Sequence, residues 1–494
     1  TANATPVYFA EPVQVQAVGT NTITVARGFV FPHYSTTIDG KVATVTKMNF
    51  AHSEVLGNPT IVLPNKYFVA IEARYTKNSK FSVNFDTTVS AGTGILLMYS
   101  MANSVTGTAT RPVDWELNKE DHSKFNTWKS VSGWYNEFDV VEYNGSQSVD
   151  RSYSGIPSIA ERFKVCSVNP KEQGITTHGM GYGTLIDAVV VNNTTSAVSN
   201  RDRFATIKLT ALGNGAIADR GNIGLSLLDF GMTDVTAEVN IVNQETGVKI
   251  DKSYSDVPYT PETVTGQIKG NISHCRYAYR LERKVPTVLS QESRFSLEAN
   301  TTECLSIVYC ATEDGWDNFT LSGNHQVSAL ATLSRAVYIR DNSFGWIIRD
   351  FTASGYPSTM ACIHIPTGST TNKLGNMQID WGSCKFVGSG AATTLAAHSS
   401  KHTTILSTFF TDKYQLENFS TVRLITTTTA NRTITLNPSN SVIPYNKEFT
   451  ILCDSLAPTI TNGGVTIYGT ILADAKVAKL TRVATNTYFV SSSN

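Results

Sequence analysis

Four stretches in the second half of the chain repeat one short pattern: Asp317-Asn-Phe-Thr-Leu-Ser-Gly323, Arg349-Asp-Phe-Thr-Ala-Ser-Gly355, Cys384-Lys-Phe-Val-Gly-Ser-Gly390 and the more degenerate Thr408-Phe-Phe-Thr-Asp-Lys413. Their central aromatics are 32, 35 and 24 positions apart (351 − 319, 386 − 351, 410 − 386): Phe319, Phe351, Phe386 and Phe410. One large apolar side chain per period, followed by small turn residues, predicts a chain that winds into stacked coils. Unequal periods favour a β-solenoid, whose turns accept insertions, and we expect each aromatic to be buried against the next coil.

The composition indicates a chain with enough apolar residues for a core and few charges on its surface. Its 494 residues are 41% hydrophobic and 16% charged, against about 25% charged in ordinary soluble proteins. Forty basic residues balance forty acidic ones, so no overall field favours nucleic acid as a partner. No apolar run approaches the roughly 18 residues of a membrane helix. The seven cysteines have no zinc-site spacing and predict small buried side chains, and we expect no metal and no cofactor.

Short runs of β-branched and aromatic residues, separated by Gly, Asn, Asp and Pro, extend along the whole chain and predict an all-β fold. We predict an N-terminal β-sandwich-like domain over residues 1–145 and a parallel β-helix over residues 271–440. Two alternatives remain open for residues 146–270, a separate β-rich segment or the first solenoid coils. Residues 441–494 predict a small C-terminal β-cap, which would protect the end of the solenoid from edge pairing.

Alignment on the repeated Phe predicts two columns of side chains that lie on successive coils. The column directly before the Phe predicts a polar ladder on the solvent face and consists of Asn318, Asp350 and Lys385. A second column, five positions before the Phe, holds two tryptophans, Trp346 and Trp381, and Trp316 lies in the turn before the first anchor. Two interpretations of the tryptophans remain open: a groove whose flat rings bind sugars, or an aromatic stack inside the solenoid. If the groove is present, the candidate substrate-binding residues are Trp316, Trp346, Trp381, Lys385 and Asn318.

Acidic residues of the same region are candidates for glycosidic hydrolysis, which uses two carboxylates about 5 to 10 Å apart. The candidate catalytic residues are Glu313, Asp314, Asp317, Asp350 and Asp380. A carboxyl group in an apolar setting beside a tryptophan has a raised pKa and can act as the general acid. A structural role in a turn is the alternative for each residue, and elimination by a Lys, Tyr or His base is another possible reaction.

The Phe-x-x-Ser-Gly turns at 319–323, 351–355 and 386–390 and the Thr-rich stretch from Thr421 to Asn440 lie between a β-rich N-terminal part and a terminal cap. This arrangement resembles bacteriophage tailspikes and their capsular polysaccharide depolymerases. The resemblance implies a right-handed parallel β-helix that forms a homotrimer and contacts other tail proteins of the virion. It also implies binding to bacterial capsular or O-antigen polysaccharide, assembly in the host cytoplasm, and extracellular action without membrane insertion.

Three functions are compatible with this pattern. A polysaccharide depolymerase, in which hydrolysis is favoured over elimination, requires two acids in one groove. A receptor-binding adhesin without catalysis requires only aromatic and amide contacts with the glycan. A structural virion or cell-surface protein requires that the tryptophans be buried and that no groove exists.

Overall fold

The computed structural model describes residues 15–18, 23–25, 50–63, 69–86, 93–111, 127–145, 148–152, 154, 156–178, 181–214, 221–228, 232–251, 263–282, 292–311, 318–339, 346–364, 378–380, 383–389, 421–424, 433–436, 448–453, 459–462, 464–472, 475, 477–484 and 486–493. These residues form strands and no α-helix, so the predicted all-β class is confirmed for them. The chain divides into two compact units, unit 1 over Thr1–Arg276 and unit 2 over Tyr277–Asn494.

The strands of unit 1 are β1 Val15–Val18, β2 Ile23–Val25, β3 Glu54–Val55, β4 Thr60–Val62, β5 Val69–Arg74, β6 Lys80–Ser82, β7 Asn84–Asp86, β8 Thr93–Met98, β9 Ser104–Thr110, β10 Trp128–Val131, β11 Glu137–Tyr143, β12 Val149–Ser152, β13 Ser158–Ile159, β14 Arg162–Val168, β15 Ile175–Thr177, β16 Gly181–Tyr182, β17 Leu185–Val191, β18 Ser196–Asn200, β19 Thr206–Leu212, β20 Ile223–Leu228, β21 Val235–Val242, β22 Thr246–Asp251 and β23 Thr263–Ser273. Apart from the antiparallel pair of β1 and β2, the strands with described partners pair in parallel.

Unit 1 winds as a parallel solenoid with two long sheets. Sheet A has the strand order β5, β8, β10, β12, β15, β18, β20, β22, and sheet B has the order β9, β11, β14, β17, β19, β21, β23. Strands β3, β4, β6 and β7 extend sheet B beyond β9, and β13 pairs with β16 on a short third side. Each coil therefore contributes one strand to each long sheet.

The described strands between residues 54 and 143 are coils of this solenoid, so the prediction of a β-sandwich-like domain is wrong for them. Glu54 pairs with Lys80, Lys80 with Ser104, and Ser104 with Glu137, all in parallel. The pairing also continues across the predicted boundary at residue 145, because β10 pairs with β12. Apolar and polar residues alternate along a half-buried strand both in a sandwich and in a solenoid, so periodicity alone does not distinguish the two folds.

Asparagines at one corner of the unit 1 coils stabilise the repeat. Asn144, Asn169 and Asn192 follow successive strands of sheet B with φ angles of 59°, 54° and 59°. Asn tolerates this left-handed conformation better than most residues. The side-chain nitrogen of Asn192 donates to the Asn169 oxygen (2.8 Å), and that of Asn169 donates to the Asn144 oxygen (3.1 Å). The corner therefore satisfies its own polar groups from coil to coil.

The strands of unit 2 are β24 Tyr277–Glu282, β25 Glu292–Leu297, β26 Asn300–Cys304, β27 Ser306–Cys310, β28 Phe319–Val327, β29 Arg335–Tyr338, β30 Ile347–Ser354, β31 Ala361–His364, β32 Gln378–Ile379, β33 Lys385–Val387, β34 Thr421–Leu424, β35 Thr433–Leu436, β36 Glu448–Cys453, β37 Thr459–Asn462, β38 Thr466–Tyr468, β39 Val477–Ala484 and β40 Thr487–Ser493. One parallel sheet has the order β24, β27, β29, β31, and a second joins β25 and β26 to β28, β28 to β30, and β30 to β32 and β33. Parallel coils thus occur within the predicted β-helix of residues 271–440.

The last strands of unit 2 form a different, mixed sheet. Strand β39 pairs antiparallel with β36 and β40, while β34 pairs with β36, and β38 with β40, in parallel. Strands β35 and β37 form a separate parallel pair. Antiparallel pairing within unit 2 is therefore described only between residues 448 and 493, inside the range predicted as a cap.

The repeated aromatics of unit 2 are buried, but their register differs from the predicted alignment. Phe319 and Phe351 are fully buried, Phe386 is half-buried, and Phe410 lies outside the described residues. Phe351 contacts Phe386 with ring centroids 6.0 Å apart and ring planes tilted by 46°. Phe351 pairs with Gly323 instead of Phe319, because the register shifts between Leu321 and Gly323. A bulge of this kind adds a residue to one strand and moves every later position relative to its neighbour.

Candidate functional site: a tyrosine–arginine ladder and an acidic pair

Unit 2 carries a column of aromatic and cationic side chains on strands β24, β27 and β29. Arg280 pairs with Tyr309, and Tyr309 pairs with Tyr338, so these three residues occupy the same position on consecutive coils. All three are half-buried. Parallel strands are about 4.8 Å apart, and this spacing brings the side chains of one column into contact.

The rings of this column stack on one another. Centroids are 4.7 Å apart for Tyr277 and Tyr309, at an interplanar angle of 29°, and 5.7 Å apart for Tyr309 and Tyr338, at 39°. The guanidinium carbon of Arg280 lies 5.6 Å from the Tyr277 centroid, and that of Arg335 lies 4.8 Å from the Tyr338 centroid. Both distances are in the range of cation–π contacts, which contribute about 0.5 to 1 kcal/mol at exposed sites. We call Tyr277, Arg280, Tyr309, Arg335 and Tyr338 the tyrosine–arginine ladder.

The geometry of the ladder determines which groups a ligand can reach. Tyr309 has a tyrosine ring on each side, so its faces contact protein and a ligand can reach only its edge and hydroxyl group. Guanidinium N–H groups are donors, and a phenol hydroxyl can donate or accept. Arg280 forms an ion pair with Glu282 (Nη2–Oε1 2.5 Å). The ladder therefore presents mostly hydrogen-bond donors, at coil spacing, to a ligand rich in oxygen acceptors.

The tryptophan column predicted from the sequence does not form a groove at the one position that the structure describes. Trp346 is 1% exposed, and its ring stacks on Phe319 at 5.0 Å and 16°. Its prediction as a substrate-binding residue is therefore wrong, and of the two open interpretations the aromatic stack inside the solenoid applies to it. Trp316 and Trp381 lie outside the described residues. The misassignment arises from the register shift in β28, which invalidates counting back from the anchors.

Two of the predicted catalytic acids come close together on the second sheet. Asp350 and Asp380 are both exposed. The Asp350 backbone N–H donates to Ser383 Oγ (2.9 Å), and Ser383 Oγ–H donates to Asp380 Oδ2 (3.0 Å). Burial raises the pKa of the neighbouring Cys384 thiol to about 11, and the charges of Asp380 and Asp350 act in the same direction. The other candidate acids lie outside the described residues: Glu313, Asp314 and Asp317.

The predicted polar ladder is not a single column. Lys385 is exposed and pairs with Thr352, two residues after Asp350. Asn318 is half-buried and has a φ angle of 56°, and Asp350 also has a positive φ, 49°. These values place both residues at local irregularities of their strands. Lys385 and Asp350 therefore do not share one position on adjacent coils, which corrects the alignment on the repeated Phe.

Other groups with potential chemistry are absent from, or inert in, the part of the chain that the structure describes. No three His, Cys, Asp or Glu residues gather there in a group able to hold a metal ion. Cys275, Cys304, Cys310 and Cys362 have buried side chains and form no disulfide among the described residues, as predicted for small apolar side chains. No helix among the described residues is long and apolar enough to span a membrane.

The ladder was not recognised from the sequence, although a signal exists. The segments Ser306-Ile-Val-Tyr-Cys310 and Arg335-Ala-Val-Tyr-Ile339 align without gaps and place a tyrosine 29 positions after another (338 − 309). This spacing lies within the range of the Phe periods. Alignment of these strands, in addition to the Phe turns, predicts a second column on the other sheet.

Comparison with known proteins gives no relative. No protein-family model matches the chain, no curated protein matches it, and no solved structure matches it. Function is therefore inferred from the geometry of this chain and from the resemblance in its sequence pattern.

Proposed function

We propose that the chain is a tailspike-like protein of a bacteriophage that binds bacterial capsular or O-antigen polysaccharide. The observation that supports this proposal is the tyrosine–arginine ladder of the unit 2 coils, in which Arg280, Tyr309, Arg335 and Tyr338 are half-buried and Tyr277 is buried. A polysaccharide repeats its hydroxyl and carboxylate acceptors along its length, and the ladder repeats donors along the coils. The ladder therefore suits a linear glycan that runs across strands β24, β27 and β29.

The parallel coils support the rest of the proposal. Parallel strands joined by crossover connections are right-handed in almost all proteins, so we propose right-handed coils. The resemblance to tailspikes then suggests a homotrimer on the virion tail, in contact with other tail proteins. In this proposal the protein assembles in the host cytoplasm and acts outside the cell.

We further propose that the protein cleaves the bound glycan by hydrolysis, with Asp350 and Asp380 as its two carboxylates. Ser383 lies between them, and both residues are exposed to solvent. Hydrolysis with retention requires carboxylates about 5 Å apart, and inversion requires a larger separation. The acidic pair lies on the sheet that contains β30, whereas the ladder lies on the sheet that contains β27 and β29, so binding and cleavage use different sheets.

A non-enzymatic adhesin is the second candidate function. The composition of the ladder favours this function, because the ladder consists of tyrosines and arginines. The carboxylate of Glu282 contacts the ladder as the ion-pair partner of Arg280. An adhesin needs affinity along a surface and no pair of acids. A structural virion protein would need neither the ladder nor the acidic pair to be accessible.

The first experiment measures binding and cleavage with a panel of purified capsular polysaccharides and lipopolysaccharides. Release of reducing ends without ultraviolet absorbance from unsaturated uronates would support hydrolysis, and such absorbance would indicate elimination. Loss of cleavage in Asp350→Asn and Asp380→Asn, with binding retained, would assign the acidic pair. Binding without either product would favour the adhesin, and no binding across the panel would contradict the proposal.

A matched pair of variants tests the ladder itself. Tyr338→Ala removes a ring and a hydroxyl group from the ladder and should weaken glycan binding about tenfold, as loss of an aromatic contact does at other interfaces. Tyr468→Ala removes a tyrosine that is 55% exposed in the mixed sheet of unit 2 and should leave binding unchanged. Equal effects of the two variants would argue against the ladder as the binding surface.

A further inference from the structure

The outer face of sheet B in unit 1 carries a column of charges that alternate in sign from coil to coil. Each residue pairs with the next in the parallel register, and all six are exposed. The column consists of Asp139, Lys164, Asp187, Lys208, Glu238 and Lys269. Lys164 Nζ and Asp139 Oδ2 are 2.8 Å apart, so at least one neighbouring pair is in contact.

Apolar side chains lie directly beside this column on the same face. One row, two residues along each strand, contains Val141, Cys166 and Val189, and the next contains Tyr143, Val168, Val191 and Leu212. Val189 is 41% exposed and Leu212 is 37% exposed. Contact between neighbouring charges within the chain accounts for the alternation, but it does not account for the apolar rows, in which Tyr143, Val189 and Leu212 are exposed and the other residues are half-buried. Apolar surface that is partly exposed over several neighbouring coils commonly marks an interaction site.

The order of the charges shows which partner fits this face. Read from the first coil to the last, the signs are −, +, −, +, −, +, and read in reverse they are the opposite at every coil. A second copy with the same coil order, aligned coil for coil, would place like charges opposite each other. A second copy with reversed coil order would place Asp187 opposite Lys208 and Lys164 opposite Glu238.

We infer that this face of unit 1 binds the same face of a second copy of the chain, with the coil order of the two copies reversed. The two-fold axis runs along the strands, between the coils of Asp187 and Lys208. Each contact then occurs twice, as in any isologous pair. The apolar rows of the two copies are covered, and the charges meet opposite charges.

The dimensions of the face are sufficient for such a pair. Strands of about seven residues at ~3.3 Å per residue and six coils at ~4.8 Å give a face of roughly 600 Å². Specific protein–protein interfaces of standard size bury about 600 to 1,000 Å² per partner, so this face lies at the lower end of that range. The pairing is separate from the parallel homotrimer of the proposed function, so a trimer through other faces combined with this pairing would contain six copies.

The first test measures the mass of the full chain in solution by analytical ultracentrifugation at several concentrations. A mass of two or six copies is the expected result, and a mass of one or three copies would overturn the inference. Asp187→Lys should weaken the association on the order of tenfold, because it places two cations opposite each other at two symmetric positions. Adding Lys208→Asp to that variant should restore association, since the charges at both positions are then exchanged and opposite signs face each other again.

A cross-link tests the reversed coil order directly. Lys164→Cys and Glu238→Cys in one chain, with Cys166→Ser, should be linked between copies by a bifunctional thiol reagent that spans about 10 Å, because two sheets that pack face to face are about 10 Å apart. Within one chain the two positions are three coils apart, about 14 Å, which exceeds this span. Identification of the 164–238 linkage in a cross-linked dimer supports the inference. A 164–164 linkage in the single variant, or no cross-linked dimer at all, overturns it.

An apolar substitution separates the interface from the stability of the fold. Val189→Glu should abolish pairing without unfolding unit 1, because Val189 points away from the core and is 41% exposed. Leu472→Glu, at a residue of unit 2 that is 53% exposed, is the matched control and should leave the mass unchanged. If both variants retained the paired mass, the face would not be the interface.

Discussion

The interiors of the two units differ in chemistry, although both are built from parallel coils. Unit 1 buries charged side chains: Arg111 contacts Glu142, with Nε and Oε1 3.6 Å apart, and both side chains are almost fully inaccessible. A second buried ion pair joins Arg151 and Asp202. Glu161 lies nearby and accepts hydrogen bonds from Ser130 Oγ (2.6 Å) and Asn136 Nδ2 (3.1 Å).

Unit 2 fills the described part of its interior mainly with stacked rings, and unit 1 also has such a stack, Phe138 on Phe163 at 5.4 Å. Phe319 stacks on Phe295 at 5.5 Å and on Trp346 at 5.0 Å, and all three are fully buried. His325 lies over Phe351 with ring centroids 4.8 Å apart. The His325 ring is neutral and held by hydrogen bonds: Nε2–H donates to the Ser322 carbonyl, and Nδ1 accepts from Thr301 Oγ1.

The comparison shows how interior chemistry and coil regularity are connected. A buried ion needs its partners at fixed distances, because its desolvation is costly unless every polar atom is paired. In unit 1 the strands β11, β14, β17 and β19 pair without a register shift over seven residues each. Stacked rings require only contact, and in unit 2 the register shifts in β28. Buried ion pairs therefore favour regular coils, whereas stacked rings occur both in the regular coils of unit 1 and beside the register shift of unit 2.

The largest expected effect is the loss of stability when a stacked ring is removed from the interior of unit 2. Phe319→Ala should lower the free energy of unfolding by about 3 to 5 kcal/mol, because it leaves a cavity between two stacked neighbours. Chemical denaturation followed by circular dichroism measures the change. The control is Phe489→Ala, at a phenylalanine that is 52% exposed in the same unit, and a similar loss in the control would show that the stack is not the cause.

Loss of one buried charge in unit 1 should lower the free energy of unfolding nearly as much. Asp202→Asn leaves Arg151 buried without its ion-pair partner and weakens the contact that Thr184 Oγ1 makes with Asp202 Oδ2 (2.6 Å). We expect a loss of about 3 kcal/mol in the free energy of unfolding. Glu448→Gln, which breaks an exposed ion pair with Lys479, should cost less than about 1 kcal/mol. Equal losses in the two variants would contradict the distinction between buried and exposed pairs.

The stability of unit 1 should fall as the pH rises. Burial raises the pKa of the Glu142 carboxyl from 4.5 to about 7, although Arg111 and Thr127 act in the opposite direction. The folded state therefore binds this proton more tightly than the unfolded chain. Stability is greatest below pH 4.5 and decreases towards pH 7, by at most about 1.4 kcal/mol per pH unit. Hydrogen exchange of peptides from β11 measures it, and Glu142→Gln should remove the dependence.

The stability of unit 2 should change with pH in the other direction. Burial lowers the pKa of His325 from 6.5 to about 4, and the hydrogen bond to Ser322 offsets this only in part. The unfolded chain therefore takes up a proton that the folded state does not hold, and stability is lost as the pH falls from 6.5 towards 4. The protection of β28 peptides against hydrogen exchange, corrected for the slower intrinsic exchange at low pH, should fall over this interval. Nitrogen NMR of the imidazole that showed a charged ring at pH 6 would contradict the prediction.

Several features of the fold follow from particular residues in the sequence. Strand-forming runs separated by turn residues predicted the all-β class, and the turns after Phe319 and Phe351 predicted buried aromatics on winding coils. These predictions succeed because burial of one large apolar side chain per coil is a local requirement. The four buried cysteines follow from the same preference for small apolar groups inside stacked strands.

Features that depend on which strands are neighbours could not be read from the same pattern. The strands of residues 54–143 were assigned to a sandwich, because alternation does not show whether a strand pairs with the next strand or with one about 24 residues later. Trp346 was placed in a possible groove, because the bulge in β28 is not visible in the sequence. The tyrosine–arginine ladder depends on the register of β24, β27 and β29, because that register brings Arg280, Tyr309 and Tyr338 into one column.

The sequence by itself determined that this chain forms strands and that its repeated phenylalanines are buried, since these properties depend on local propensity and on the hydrophobic effect. The tertiary structure decided which residues meet: the Asp350 backbone and the Asp380 carboxylate at Ser383, and the alternating charges of sheet B in one column. The physical reason is that coil register sets contacts between residues 20 to 35 positions apart, and one inserted residue changes every contact that follows.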